Sequence, residues 1–172
     1  MSLKVTSFSI NLPFGIGGVS VARTETQIRA AWALYVEFAT RVATQPLEEG
    51  YGSAREALNS LHSLFEVTRI VLKSEGPSIA EGPDSVGPLA IRILNEGLRP
   101  FLGRWHTRLS AFETAQKISF QTQSPGSESI INESEWSDRA DFFDALESLR
   151  LSLLSYVEAL GMLAGLSESG GD

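Results

Sequence analysis

"NEGLRPFLGRWHTRLSAFE", residues 95–113, decides the fold. Pro100 stands in its middle, and a proline inside a helix lacks the amide donor and crowds the carbonyl four residues back. The apolar spacing argues the other way. Leu94, Leu98, Phe101, Trp105, Leu109 and Phe112 keep the ~3.6-residue period of a helix straight through the proline. The pattern predicts one long helix starting near Val86, with Pro88 in its first turn, kinked between Gly97 and Pro100. The other side of this helix is polar: Arg92, Asn95, Glu96, Arg99, Gly103 and His106 recur at spacings of three or four.

Upstream, two further helices follow from capping signals and apolar stripes. Thr24 with Gln27, and Ser53 with Glu56, have the spacing of capping boxes, in which two side chains reciprocally satisfy free amides. Ile28, Ala31, Trp32, Tyr35, Phe38, Ala39 and Val42 form the first stripe, ended by Pro46; Ala57, Leu58, Leu61, Leu64, Phe65, Thr68 and Leu72 form the second. Residues 74–88, rich in Gly and Pro, read as a loop. Downstream, residues 119–131 read as a polar loop. Asn132 with Glu135 gives a third capping box, opening a last helix over 133–166. Its stripe is Trp136, Ala140, Phe143, Leu146, Leu149, Leu153, Val157, Leu160 and Ala164.

Residues 3–23 have the period of strands instead. Phe8, Ile10 and Leu12 alternate, as do Val19 and Val21, with "PFGIGG" between them as the turn. The glycines Gly15, Gly17 and Gly18 lie between two strands, with no lysine and no following helix, so a phosphate loop is not indicated. The expectation is one mainly α domain over 1–172: a hairpin at 3–23, an antiparallel four-helix bundle over 24–166 and a flexible tail at 167–172. Unequal helix lengths leave the last two helices overhanging the first two, and that overhang needs cover from the hairpin, a loop or a partner.

Composition narrows the function. The 172 residues carry a net charge of −7, with no cysteine and two histidines, His62 and His106. That excludes thiol chemistry and disulfides, leaves no metal set and no cofactor motif to name, and disfavours nucleic acid and anionic membranes as partners. No apolar run reaches the ~20 residues of a membrane span, and the first residues lack the apolar core of a signal peptide; the expected location is cytoplasmic. Asp141 and Asp144 share a face, but without a Glu-x-x-His element they do not read as a metal site.

Two resemblances touch the central helix. "ILNEGLRPFLGRWHTRLSAFE", within about residues 86–113, resembles a segment of small helical accessory proteins of bacteria, some associated with antiviral or conflict systems. It implies an accessory or regulatory component. Arg99 and His106, in the pattern Arg-x6-His, resemble the HEPN helical-bundle ribonucleases. That implies a general acid or base at His106 and a phosphate clamp at Arg99. The spacer "PFLGRW" departs from that family in being apolar and in holding a proline. The reading preferred here is a non-enzymatic protein-binding adaptor or regulatory subunit, as in a bacterial defence assembly, with no catalytic residues. Its interface candidates are Phe14, Ile16, Arg92, Arg99, Arg104, Trp105 and Arg108, since Arg and Trp are favoured at binding hot spots and apolar hairpin tips are often covered by partners. The alternatives are a ribonuclease using Arg99 and His106, and a homo-oligomeric scaffold joined through the hairpin.

Overall fold

Alternation in the first strands produces a two-stranded antiparallel sheet in the computed structural model, which describes residues 7–41, 52–126 and 130–166. Strands β1 (Ser7–Leu12) and β2 (Gly17–Ala22) pair with Ile10 opposite Val19 and Leu12 opposite Gly17. Ile10, Leu12 and Val21 are buried, while Ser9, Asn11, Ser20 and Ala22 face out. The turn between them has positive φ at both Phe14 and Gly15, the backbone that tight hairpins require.

The helices are α1 (Glu25–Ala39), α2 (Ala54–Glu75), α3 (Val86–Arg92), α4 (Arg99–Gln123) and α5 (Arg139–Ala164), with 3-10 turns at Pro77–Ala80 and Glu133–Glu135. Cross-helix pairs give an antiparallel arrangement. Arg29 meets Glu75 and Arg41 meets Ser63 between α1 and α2. Phe38 meets Tyr156 between α1 and α5. Arg55 meets Glu113, and Arg99 lies over Phe65, between α2 and α4. The fold is a mainly α bundle with an N-terminal hairpin, and β1 closes one end against α5.

The long central helix is continuous through Pro100, and its adjustment differs from a simple proline kink. Ile93–Leu98 is a π-helical segment joining α3 to α4, and the Arg99 amide donates to the Leu94 carbonyl, five residues back. Ala90, Leu94 and Leu98 are buried at spacings of four, with Ile93 and Gly97 buried beside them. In an α-helix such a series drifts by about 40° per step. The wider π turn holds it inward and loosens the turn that the proline ring would crowd.

Other boundaries also shift. Helix α4 runs to Gln123, so the expected loop begins five residues later than residue 119. The last helix starts at Arg139, not 133. Trp136 takes an extended backbone, with ψ 117°, and inserts its side chain into the core, which interrupts the helix there. In α5 the inward residue is Phe142, while Ala140 is exposed. In α1 the buried face is Gln27, Ala30, Ala31, Leu34 and Phe38, which leaves Trp32 at 47% exposure, stacked on Tyr35. The capping boxes are only half formed: Thr24 and Ser53 accept from the Gln27 and Glu56 amides, but neither partner side chain returns a bond among the described residues. Val42, Pro46 and the tail at 167–172 lie outside the described residues, as does the side chain of Phe8.

Candidate interaction surface

The opening stretch divides its residues between interior and surface. Trp105 is 2% exposed and meets Trp136 and Phe142 edge-on at 6.0 and 5.4 Å. Phe101, Phe112 and Phe143 extend this aromatic cluster between α4 and α5. As an interface candidate Trp105 is therefore corrected: it is packed inside and offers a partner no direct contact. The arginines around it stay outside. Arg104 and Arg108 set their guanidinium carbons 4.9 and 5.4 Å from the Trp105 ring centroid, and Arg139 lies 4.7 Å over Phe143. Arg108 also reaches Asp138 at 3.3 Å. Such cation–π contacts cover the ring while Arg104 and Arg108 stay exposed.

Arg92 pairs with Glu96 on its own helix at 3.0 Å. Arg99 and His106 point to different neighbours. The Arg99 guanidinium lies 5.6 Å from the Phe65 ring centroid. His106 Nδ1 approaches Ser110 Oγ at 3.5 Å on its own helix. Ser110 in turn accepts from Arg55, whose guanidinium holds the Glu113 carboxylate at 2.6 and 2.9 Å. None of the clefts described below is lined by Arg99 or His106.

The hairpin tip is docked within the chain. Phe14 and Ile16 are half-buried against the core. A Cβ placed on Gly97 would come within 2.5 Å of the Phe14 ring, so the absence of a side chain at Gly97 is what admits it.

Two residues tie distant elements together in a way that sequence reasoning did not show. Glu133 caps α2 from outside: its carboxylate accepts from the Ala54 and Arg55 amides at 2.6 and 3.1 Å and from Ser53 Oγ at 2.6 Å. Free amides at a helix start favour such an anion. An open groove of about 510 Å³ lies beside it, lined by Ser53, Arg55, Glu113, Glu133 and Arg139 among others. Gln27 is 4% exposed, and its Oε1 accepts from the Val86 amide at 2.8 Å, which caps α3. Capping residues normally sit next to their helix, so these partners, 79 and 59 positions away, left no local signal.

A second cleft, of about 250 Å³, is lined by Ser20, Ala22, Thr24 and Gln27 on one side and Glu81–Ser85 on the other. A void of about 10 Å³ lies under the hairpin, walled by Ile10, Leu12, Val86, Leu89 and Tyr156 among others. The Tyr156 hydroxyl has no hydrogen-bond partner among the described residues, and burial raises its pKa above the ordinary tyrosine range. Glu147 and Arg150 hold each other charged through a bidentate hydrogen bond at 2.6 Å, which lowers the carboxyl pKa.

The far end of the bundle carries uncovered apolar residues. Helix α4 has no buried residue after Leu109, and Ile118 near its end is 61% exposed. Gln116 bonds both the amide and the carbonyl of Asn132, bringing residue 130 to this end, and Ile130 is 88% exposed. No helix among the described residues is long and apolar enough to cross a membrane, and no three His, Asp or Glu side chains group there as metal ligands. The chain matches no protein-family model, no curated protein and no solved structure.

Proposed function

We propose that the chain is a non-enzymatic protein-binding module, an adaptor or regulatory subunit that docks through the overhanging end of α4. The observation that carries this reading is the exposure of Ile118 and of Ile130 at the same end of the bundle, the second brought to that end by the Gln116–Asn132 bonds. Scattered exposed apolar residues are ordinary; two of this size at one end of the bundle, where α4 runs on past its last buried residue, support reading a contact surface there. The exposed arginines Arg104 and Arg108, set over Trp105 on the same helix, would supply polar contacts to the rim of such an interface. The placement within a bacterial defence assembly rests on the resemblance in residues 86–113.

The separate partners of Arg99 and His106 favour this reading over a ribonuclease, because a phosphate clamp and a general acid must meet one scissile bond. The hairpin, packed on α5 by β1, favours it over a scaffold joined by strands. The test is a photo-crosslinking residue at position 118, in the full chain, in its native cells. A discrete adduct to another protein, lost on Ile130→Glu, is the expected result. Absence of any adduct, or one indifferent to Ile130→Glu, removes the reading. RNA cleavage by the wild-type chain that His106→Ala abolishes would replace it with the enzyme.

A further inference from the structure

The fold leaves one buried polar group beside the hairpin unused. Of the residues lining the void there, β1 contributes Ile10 and Leu12, α3 contributes Val86 and Leu89, and α5 the rest. Tyr156 alone among them has a polar side chain. It is 2% exposed, and its hydroxyl has no partner among the described residues. Buried polar atoms are normally satisfied, so an open one calls for an explanation. Packing does not supply it. A phenylalanine would keep the edge-on contact with Phe38 and leave no bond unmade. A trapped water does not supply it either, because a buried water needs about two to four polar partners and the lining side chains offer one hydroxyl. Burial keeps the phenol protonated, so the group offers a donor. The hairpin above it is held by apolar contact. No hydrogen bond or ion pair joins residues 7–22 to a helix among the described residues. Ile10, Leu12 and Val21 carry the burial, and Phe14 at the tip rests on Gly97 with φ of 60°. Lifting the hairpin therefore breaks no polar contact to the bundle. What it loses is apolar burial, which an apolar guest restores.

We infer that the hairpin is a displaceable cover over a binding site for a small, neutral, mostly aliphatic molecule with one acceptor oxygen, a ketone or an ester by class. The acceptor takes the hydrogen bond of Tyr156, and the hydrocarbon part replaces Ile10 and Leu12 against Val86, Leu89 and the α5 wall. The void of about 10 Å³ is far below the ~300–1,000 Å³ of small-molecule pockets, so the ligand's room comes from displacing the hairpin. A two-stranded hairpin is marginal on its own, which keeps that displacement within reach of a ligand. A ligand that binds the lifted state better shifts the equilibrium towards it by its difference in affinity. An ion fits less well, since no charged side chain lines the void and an unpaired charge is costly there. This site is independent of the docking surface on α4, which lies at the other end of the bundle.

The test titrates the methyl-labelled full chain with cyclohexanone and, separately, with cyclohexane, followed by NMR. The expected result with the ketone is saturable shifts at the methyls of Ile10, Leu12, Val86, Leu89 and Leu163 and at the β1 amides. Tyr156→Phe weakens ketone binding about five- to tenfold and leaves cyclohexane binding unchanged. That variant removes an unmade bond and keeps the ring, so a loss of affinity is not a loss of fold. Phe14→Ala, which frees the tip, tightens ketone binding, because an easier opening step raises apparent affinity. Equal ketone affinity in the wild type and Tyr156→Phe overturns the inference and leaves the hydroxyl as a packing defect. So does an equal loss for cyclohexane, ketone affinity unchanged in Phe14→Ala, shifts scattered over the surface, or no response up to the solubility of both probes.

Discussion

Tyr156 is buried with its ring edge-on to Phe38 at 5.1 Å and lines a small void, yet its hydroxyl has no partner among the described residues. A buried unmade hydrogen bond costs about 1–3 kcal/mol. Tyr156→Phe is therefore expected to stabilise the chain by about 1 kcal/mol at neutral pH, read from urea denaturation. The pH dependence has a definite sign. Burial favours the neutral phenol and raises the folded-state pKa above the ordinary tyrosine value of about 10. The folded chain then holds its proton where the unfolded chain has lost it, so stability is unaffected below about pH 10 and falls as pH rises further. The slope contributed approaches about 1.4 kcal/mol per pH unit, and Tyr156→Phe is expected to remove that component. Equal alkaline slopes in both proteins would contradict it. A second contact at this scale is Phe14 on Gly97. Phe14 has φ of 60°, unfavourable for a bulky residue, and its ring is held where a Cβ on Gly97 would clash. Gly97→Ala is expected to cost about 1–3 kcal/mol, and Phe14→Ala to cancel most of that additional loss. Additive effects in the double-mutant cycle would mean that the hairpin tip does not rest on Gly97. Trp105, Phe101 and Leu109 were legible as interior residues because helical spacing alone brings them to one face. Gln27 was read as half of a local box, and nothing nearby in sequence could show that its oxygen serves Val86.

Element boundaries were legible wherever the deciding force was local. Thr24 and Ser53 begin α1 and α2 because each hydroxyl accepts an amide three residues on. They were misread where a tertiary contact decided. Trp136 leaves helical geometry to fill the aromatic cluster, and the last helix consequently begins after it. The stripe through Leu94 and Leu98 showed that the helix continues, but the π segment was not legible: the inward run of Ala90, Ile93/Leu94 and Gly97/Leu98 at spacing four is seen only in the structure. Its reading as a kink assigned to Pro100 what the whole preceding turn accommodates. The cap on α2 gives a test of the tertiary contribution. Glu133 collects two amides and one hydroxyl, and charge-assisted bonds at a helix start are among the stronger ones. Glu133→Ala is expected to destabilise by about 1–2 kcal/mol, while Glu133→Gln, which retains one acceptor, loses less. The difference is measured by denaturation, with hydrogen exchange at Ala54 and Arg55 as the local readout. Unchanged protection at those two amides in Glu133→Ala would mean that the cap is not formed in solution.

At the scale of the whole molecule, the proposed docking surface lies at the end of the bundle away from the hairpin. The hairpin, α3 and the C-terminal half of α5 pack at one end, with Leu153, Leu160 and Val21 nearly inaccessible. At the other, α4 runs on for more than three turns after its last buried residue, Leu109. The overhang was expected of both last helices from their unequal lengths; the structure shows α4 running on past the end of its apolar stripe, through residues expected to be loop, while α5 begins later than expected. What covers it was not legible, because a stripe records that a face is apolar and says nothing of who meets it. This separation makes a prediction that core residues do not share. Ile118 is 61% exposed, so Ile118→Glu removes no internal packing, and surface substitutions of that kind stay within about 0.5 kcal/mol. Leu153→Ala, by contrast, is expected to cost about 2–5 kcal/mol from its fully buried site. The two variants are compared by urea denaturation and by sedimentation of the same samples. Unchanged stability and unchanged mass for Ile118→Glu fit a surface kept for a different protein. A shift from a larger species to the monomer would show that the overhang joins copies of this chain. A stability loss above about 1 kcal/mol would show that Ile118 is packed within the chain, and the overhang would cease to be a docking surface at all.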